Sequence, residues 1–191
     1  RLSSVERYDP TANAWEEVAP MAELRDEIAV AVLDGKLYAV GGFNDGDGWL
    51  SSVERYDPAL DVWEAVAPMA SERDNCAVAV LDGSLYAVGG YSNGGGGATS
   101  SVERYDPATN AWESLAPLTT ARCIHAVAVL DGKLYAAGGY SEGADYLSSV
   151  ERYDPAANAW VAVAPMASAR CSVSMAVLDG KLFAVGGEKE E

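Results

Sequence analysis

Few residues in this chain are both chemically capable and spaced to act together. His125 is the one histidine, and no second imidazole or thiolate cluster completes a zinc or copper site around it, nor does a Ser-His-Asp set suggest itself. It reads as a loop or strand-end residue beside a repeat junction. Carboxylates are plentiful, but Glu6, Glu54, Glu103 and Glu151 recur at a fixed step beside Arg7, Arg55, Arg104 and Arg152. A general acid and its base need different environments. A set repeated in register therefore reads as structural, with glutamate–arginine contacts along or between repeats. Asp45-Gly46-Asp47-Gly48 has the opening of a calcium loop without its later ligands or terminal Glu, so turn chemistry explains it. Gly94-Gly95-Gly96-Gly97 has no following Lys-Ser/Thr or helix to finish a phosphate cradle and reads as a flexible loop. These patterns lead to no expected catalytic residue, metal ligand or cofactor.

The spacing that argues against catalysis also shows what must position everything else. Arg-Tyr-Asp-Pro occurs at Arg7, Arg55, Arg104 and Arg152, a step of 48 or 49 residues. Trp15, Trp63, Trp112 and Trp160 keep that step, as do Gly41-Gly42, Gly89-Gly90, Gly138-Gly139 and Gly186-Gly187. A fixed period of this length makes the repeat the folding unit. The chain is expected to be a single domain over 1–191, with units of about 3–50, 51–99, 100–147 and 148–191.

Within a unit, Ala29 to Leu33 is a short continuous apolar run, as in a strand covered on both faces. Asp34-Gly35 supplies the positive φ angles of a two-residue hairpin, and Leu37 to Val40 forms the return strand. Ser52 to Tyr56 stops at Asp57-Pro58, since Pro cannot donate to a ladder. The chain returns around Trp63 to Val66. Each unit is thus a four-stranded antiparallel meander with no helical periodicity anywhere to cover its apolar faces. Stacking the sheets around an axis covers them, which predicts an all-β, four-bladed propeller. Because the chain opens on the third and fourth strands and ends on the first and second, the last blade is expected to be closed by both termini. The alternative is a strand-exchanged dimer that closes a two-chain, eight-bladed ring. The monomer is the preferred expectation.

Composition narrows the partners. A formal charge of −16 is repelled by phosphate backbones, so no nucleic acid is expected. No apolar run is long enough to span a bilayer, so no membrane is expected either. Cys76, Cys123 and Cys171 are odd in number and lack C-x-x-C spacing, which suits a reducing, cytoplasmic setting. The chain opens on Arg1 without a signal segment, which reads as an excised fragment or a removed tag.

The Gly-Gly pair, the Tyr38, Tyr86 and Tyr135 that precede it (Phe183 in the last unit), and the Trp of the fourth strand together resemble the kelch repeat. That resemblance covers the whole chain. It implies the fold of the propellers found in cullin ubiquitin ligase adaptors, where residues at the corresponding Arg, at the next position and just after Gly-Gly line one face and grip peptides. Carried over, that face holds Arg25, Arg73, Arg122 and Arg170 with Phe43, Tyr91, Tyr140 and Glu188. Four guanidiniums could hold carboxylates bidentately. The plainer reading is that each Arg bonds to backbone in a blade junction. The function expected is a non-enzymatic protein- or peptide-binding scaffold. The alternatives are an engineered, fragmented or recently duplicated propeller with no evolved ligand, or a sugar-acting enzyme as in some relatives of this architecture.

Overall fold

The computed structural model describes residues 1–92, 94 and 96–189. Asn93 and Gly95, which fall in the glycine run singled out above, and Glu190 and Glu191 lie outside the described residues. Among those described, every regular element is a strand.

Three complete antiparallel sheets follow one another. The first joins Ala29–Leu33, Lys36–Val40, Val53–Asp57 and Val62–Val66; the second Ala77–Leu81, Ser84–Val88, Val102–Asp106 and Ala111–Ser114; the third Ala126–Leu130, Lys133–Ala137, Val150–Asp154 and Ala159–Val163. Their inner hairpins turn as the sequence requires. Asp34, Asp82 and Asp131 have φ of 50, 49 and 50°, and Gly35, Gly83 and Gly132 have 71, 71 and 67°, the double positive φ of a type I′ turn. The first strands of successive sheets touch one another in a row. This places the alanine-rich strands innermost, where neighbours approach most closely.

The core lies between blades. Tyr38, Val40, Val53 and Met69 of the first interlock with Leu85, Ala87 and Tyr105 of the second. Tyr86, Val88, Val102 and Leu118 meet Leu134, Ala136 and Tyr153 of the third. Polar ties run along the same seams. The indole N–H groups of Trp63 and Trp112 donate to the carbonyls of Ala19 and Ala67, each at 2.9 Å. Asn110 accepts from the Ala67 amide at 3.0 Å and from the Tyr105 hydroxyl at 2.9 Å.

The expected closure of the last blade is corrected. Among the described residues Val5–Asp9 pairs with Ala14–Val18 alone, and Ser174–Leu178 pairs with Lys181–Val185 alone, so the two terminal hairpins form separate two-stranded sheets rather than one shared blade. The physical reason is local. Each junction repeats the same side-chain contacts and so the same angle, and nothing in one junction requires four such angles to complete a turn.

Candidate functional site

After each Gly-Gly pair the chain leaves the blade in a small hairpin: Phe43–Asn44 with Gly48–Trp49, Tyr91–Ser92 with Gly97–Ala98, and Tyr140–Ser141 with Asp145–Tyr146. The base of each is stitched to the segment entering the innermost strand by isolated bridges: Asp26 to Phe43, Asp74 to Tyr91, Cys123 to Tyr140, and, in the last repeat, Cys171 to Glu188. One end of the molecule therefore carries Phe43, Tyr91, Tyr140 and Glu188 at equivalent positions. The first three are half-buried and Glu188 is exposed.

The arginines are placed differently from what the resemblance implies. Arg25, Arg73 and Arg122 are buried beneath this rim, each precedes a bridging residue, and both terminal nitrogens of each guanidinium are engaged, while the Nε of Arg73 and Arg122 has no partner among the described residues. Arg73 donates to the carbonyls of Gly89 (2.7 Å) and Ser101 (3.2 Å) and pairs with Glu103 at 2.6 Å. Arg122 does the same with Gly138, Ser149 and Glu151, and Arg25 with Gly41, Ser52 and Glu54. The glutamates are equally committed. Glu103 accepts from the amides of Ala70 (2.7 Å) and Ser71 (3.1 Å), and Glu151 from those of Thr119 and Thr120. Burial works to raise the Glu151 carboxyl, but the hydrogen bonds from Thr119 and Arg122 outweigh it and hold it below the usual range. The plainer reading of these arginines describes their geometry, with an addition the sequence did not suggest. Each carboxylate's partner is not the adjacent Arg55, Arg104 or Arg152 but the arginine about thirty residues upstream. Arg55 and Arg104 instead cross the strand to Glu64 and Glu113. Among the described residues the Arg170 guanidinium bonds to the Gly186 carbonyl alone, at 2.8 Å.

What the rim does offer is aromatic and acidic. Trp49, the one Trp that keeps no period, packs edge-on against Phe43 at 5.2 Å and stacks on Tyr91 of the next blade at 6.1 Å. Arg1 lies 4.7 Å above the Phe43 ring and pairs with Asp26 and Asp45. Glu142 of the third small hairpin accepts from the Ala98 amide of the second at 2.8 Å, tying those two together. Beside the first lies a cleft of about 380 Å³ walled by Glu23, Asp45 and Asp47. Asp74 is buried among acids; desolvation first, then Glu27, raises its carboxyl to about 7. Sequence reasoning missed Trp49. The available signal was its departure from the period.

His125 lies in a blade junction, beneath the rim. It is buried with neither ring nitrogen hydrogen-bonded, and burial, aided by the Arg122 charge, lowers it to about 3, so it is neutral at ordinary pH. The three cysteines are free and buried; burial raises Cys76 to about 11 and Cys123 to about 12. Such thiols are poor nucleophiles. Among the described residues no three His, Cys, Asp or Glu side chains are grouped to hold a metal ion, and no helix is long and apolar enough to cross a membrane.

The chain matches known proteins in two ways. Segments are similar to human Kelch-like protein 4 (53% identical over 45 residues, 23% of this chain and 6% of that protein) and human Kelch-like protein 5 (53% over 51 residues, 26% and 7%). Another is similar to the Caenorhabditis elegans kelch repeat-containing protein kel-10 (46% over 44 residues, 23% and 8%). The matched segments thus span less than a tenth of these relatives. In three dimensions 97% of the chain superposes on a solved structure titled "Structure of YjhT", with a TM-score of 0.84 at 18% identity, spanning 66% of that chain. That likeness shows the fold alone. The family description "KLHDC2/KLHL20/DRC7 Kelch-repeats domain" matches residues 1–187, and the chain belongs to the kelch-repeat family.

Proposed function

We propose that this domain is a non-enzymatic binding scaffold whose rim hairpins receive a basic protein segment. The observation that carries the reading is the Phe43–Trp49–Tyr91 cluster. It spans two blades, is half-buried, and lies next to exposed carboxylates at Asp45 and Asp47. Aromatic faces beside carboxylates suit Lys and Arg side chains, which gain cation–π and ionic contacts together. Tyr140 and Glu188 extend the same rim over the third and fourth repeats. Arg25, Arg73 and Arg122 act beneath it as posts that fix where each hairpin leaves its blade. Kelch-repeat domains typically mediate protein–protein interaction, and this rim is where these repeats differ from one another, as a recognition surface on a fixed frame does.

Fluorescence-anisotropy titration with Arg/Lys-rich peptides and an acidic control tests the proposal. Basic peptides are expected to bind, more weakly at higher salt. Tyr91→Ala and the Asp45→Asn, Asp47→Asn pair are each expected to weaken binding about tenfold or more, close to the ~1.4 kcal/mol of a modest contact, without lowering the melting temperature. Equal binding of acidic and basic peptides, or unchanged binding by both variants, would refute it.

A further inference from the structure

We infer that Ile124 sets the specificity of the rim: the segment bound there carries, beside its basic residues, one apolar side chain that seats on Ile124 at the foot of the second and third hairpins. This rests on the binding reading above and adds a second chemical requirement to it.

The position has a fixed, left-handed backbone. Glu27, Asn75, Ile124 and Ser172 stand at the same place in successive repeats, with φ of 52, 46, 52 and 51°. Their main chains are joined in a row: the Asn75 amide donates to the Glu27 carbonyl, that of Ile124 to Asn75 and that of Ser172 to Ile124, each at 3.0 Å. Immediately before Asn75 and Ile124 lie the residues that bridge to the rim, Asp74 to Tyr91 and Cys123 to Tyr140. Ile124 is therefore held from both sides by repeats of this chain. Its backbone is not free to turn to suit its side chain.

Isoleucine is a poor choice for such a place. In the left-handed region Cβ crowds the backbone, so glycine and asparagine are tolerated best and a β-branched residue is an outlier. The second repeat has Asn. Packing does not explain the Ile: it is 37% exposed and, among the described residues, joins neither apolar cluster between the blades. A strained residue whose side chain meets solvent has its use outside folding.

The surroundings say which use. Glu27 and Asn75 engage each other, the Asn75 side chain donating to the Glu27 carboxylate at 2.9 Å, whereas Ile124 offers only hydrocarbon. Tyr140 is bridged to the residue beside it and Tyr91 to the residue beside Asn75, and both tyrosines are half-buried. The hairpins bearing them are clipped together by Glu142, which accepts from the Ala98 amide at 3.0 and 2.8 Å. The clip depends on glycine, because a Cβ on Gly97 would collide with the Glu142 carboxylate. A small apolar seat in a fixed frame thus lies one repeat along from the Phe43–Trp49–Tyr91 cluster, and a frame already ordered discriminates at little entropic cost. The equivalent residues of the other three repeats are polar. The apolar requirement therefore falls at the third repeat.

Fluorescence anisotropy tests it with a labelled nonapeptide of Lys, Arg and Ser as parent, and a set in which a single Leu is moved through its positions. The wild-type chain is expected to bind the best-placed Leu peptide about tenfold more tightly than the parent. Ile124→Asn, which installs the residue of the second repeat, is expected to lose that preference and keep its affinity for the parent. It should also raise the midpoint of denaturant unfolding, because Asn accepts the left-handed backbone. Ile124→Val is expected to keep both the preference and the midpoint. A wild-type chain indifferent to Leu, a preference that survives Ile124→Asn, or a lowered midpoint in that variant would overturn the inference. The two readings fail separately. Equal binding of parent and Leu peptides removes this inference and leaves the basic reading standing, whereas Leu-dependent binding of a peptide with Ser in place of every Lys and Arg does the reverse. Failure of every peptide to bind removes both.

Discussion

The pentapeptide Val-Glu-Arg-Tyr-Asp occurs four times, at residues 5–9, 53–57, 102–106 and 150–154, and has two different environments. In the three interior copies Val, Glu and Tyr are buried; in the first copy none of them is. Backbone pairing to the following strand is the same in all four. Local sequence therefore sets the strand and its hairpin, while burial and ion pairing come from the neighbouring strand and blade, as expected for a quasi-one-dimensional repeat protein.

The largest predicted contrast is at the glutamate. Glu103→Ala leaves the Arg73 guanidinium buried without its counter-charge and should cost about 3–5 kcal/mol in denaturant unfolding, whereas Glu6→Ala in the dilute single chain should leave the midpoint where it was. Similar losses for both would break the comparison. The next contrast lies at a position that reads Ile28, Cys76, His125 and Val173 in successive repeats. The unfolded His125 takes a proton near pH 6.5 and the folded one refuses it until about 3, so this residue contributes a loss of stability as pH falls below 6.5. That loss is about 1.4 kcal/mol per unit. His125→Val, which installs the residue of the last repeat, should remove that slope between pH 6.5 and 4, read as melting temperature against pH. Asp74 works in the opposite sense. Its carboxyl, raised to about 7 when folded, favours the folded state at low pH and loses that contribution as pH climbs from about 4 through 7, so Asp74→Asn should flatten that decline. The smallest contrast is the cross-strand pair. Arg55→Ala, which removes the ion pair to Glu64, should cost on the order of 0.2–1 kcal/mol, and Arg7→Ala still less.

Much of this was legible because the information is local. Asp-Gly at 34, 82, 131 and 179 fixes the inner turns, Asp-Pro ends the third strand, and continuous apolar runs mark strands covered on both faces. The parts that were not legible depend on contacts between distant residues. Nothing beside Glu54 in sequence indicates Arg25 rather than Arg55 as its partner, and only folding brings the crossing segment under the third strand. Closure depends on the sum of several junction angles, which no single repeat encodes. The rim was half-legible: resemblance pointed to the positions after Gly-Gly, and the fold sets Phe43, Tyr91 and Tyr140 at equivalent bridged positions at one end of the molecule. It also named arginines that the fold uses as posts, and it passed over Trp49, which only its irregular position marks.

Amide hydrogen exchange resolved to Val5–Asp9 and Val53–Asp57 tests the central claim most directly, because the two segments share one sequence. The account predicts slow exchange in Val53–Asp57, paired on both sides, and fast exchange at the outer edge of Val5–Asp9, paired on one. Equal protection of the two segments would contradict it.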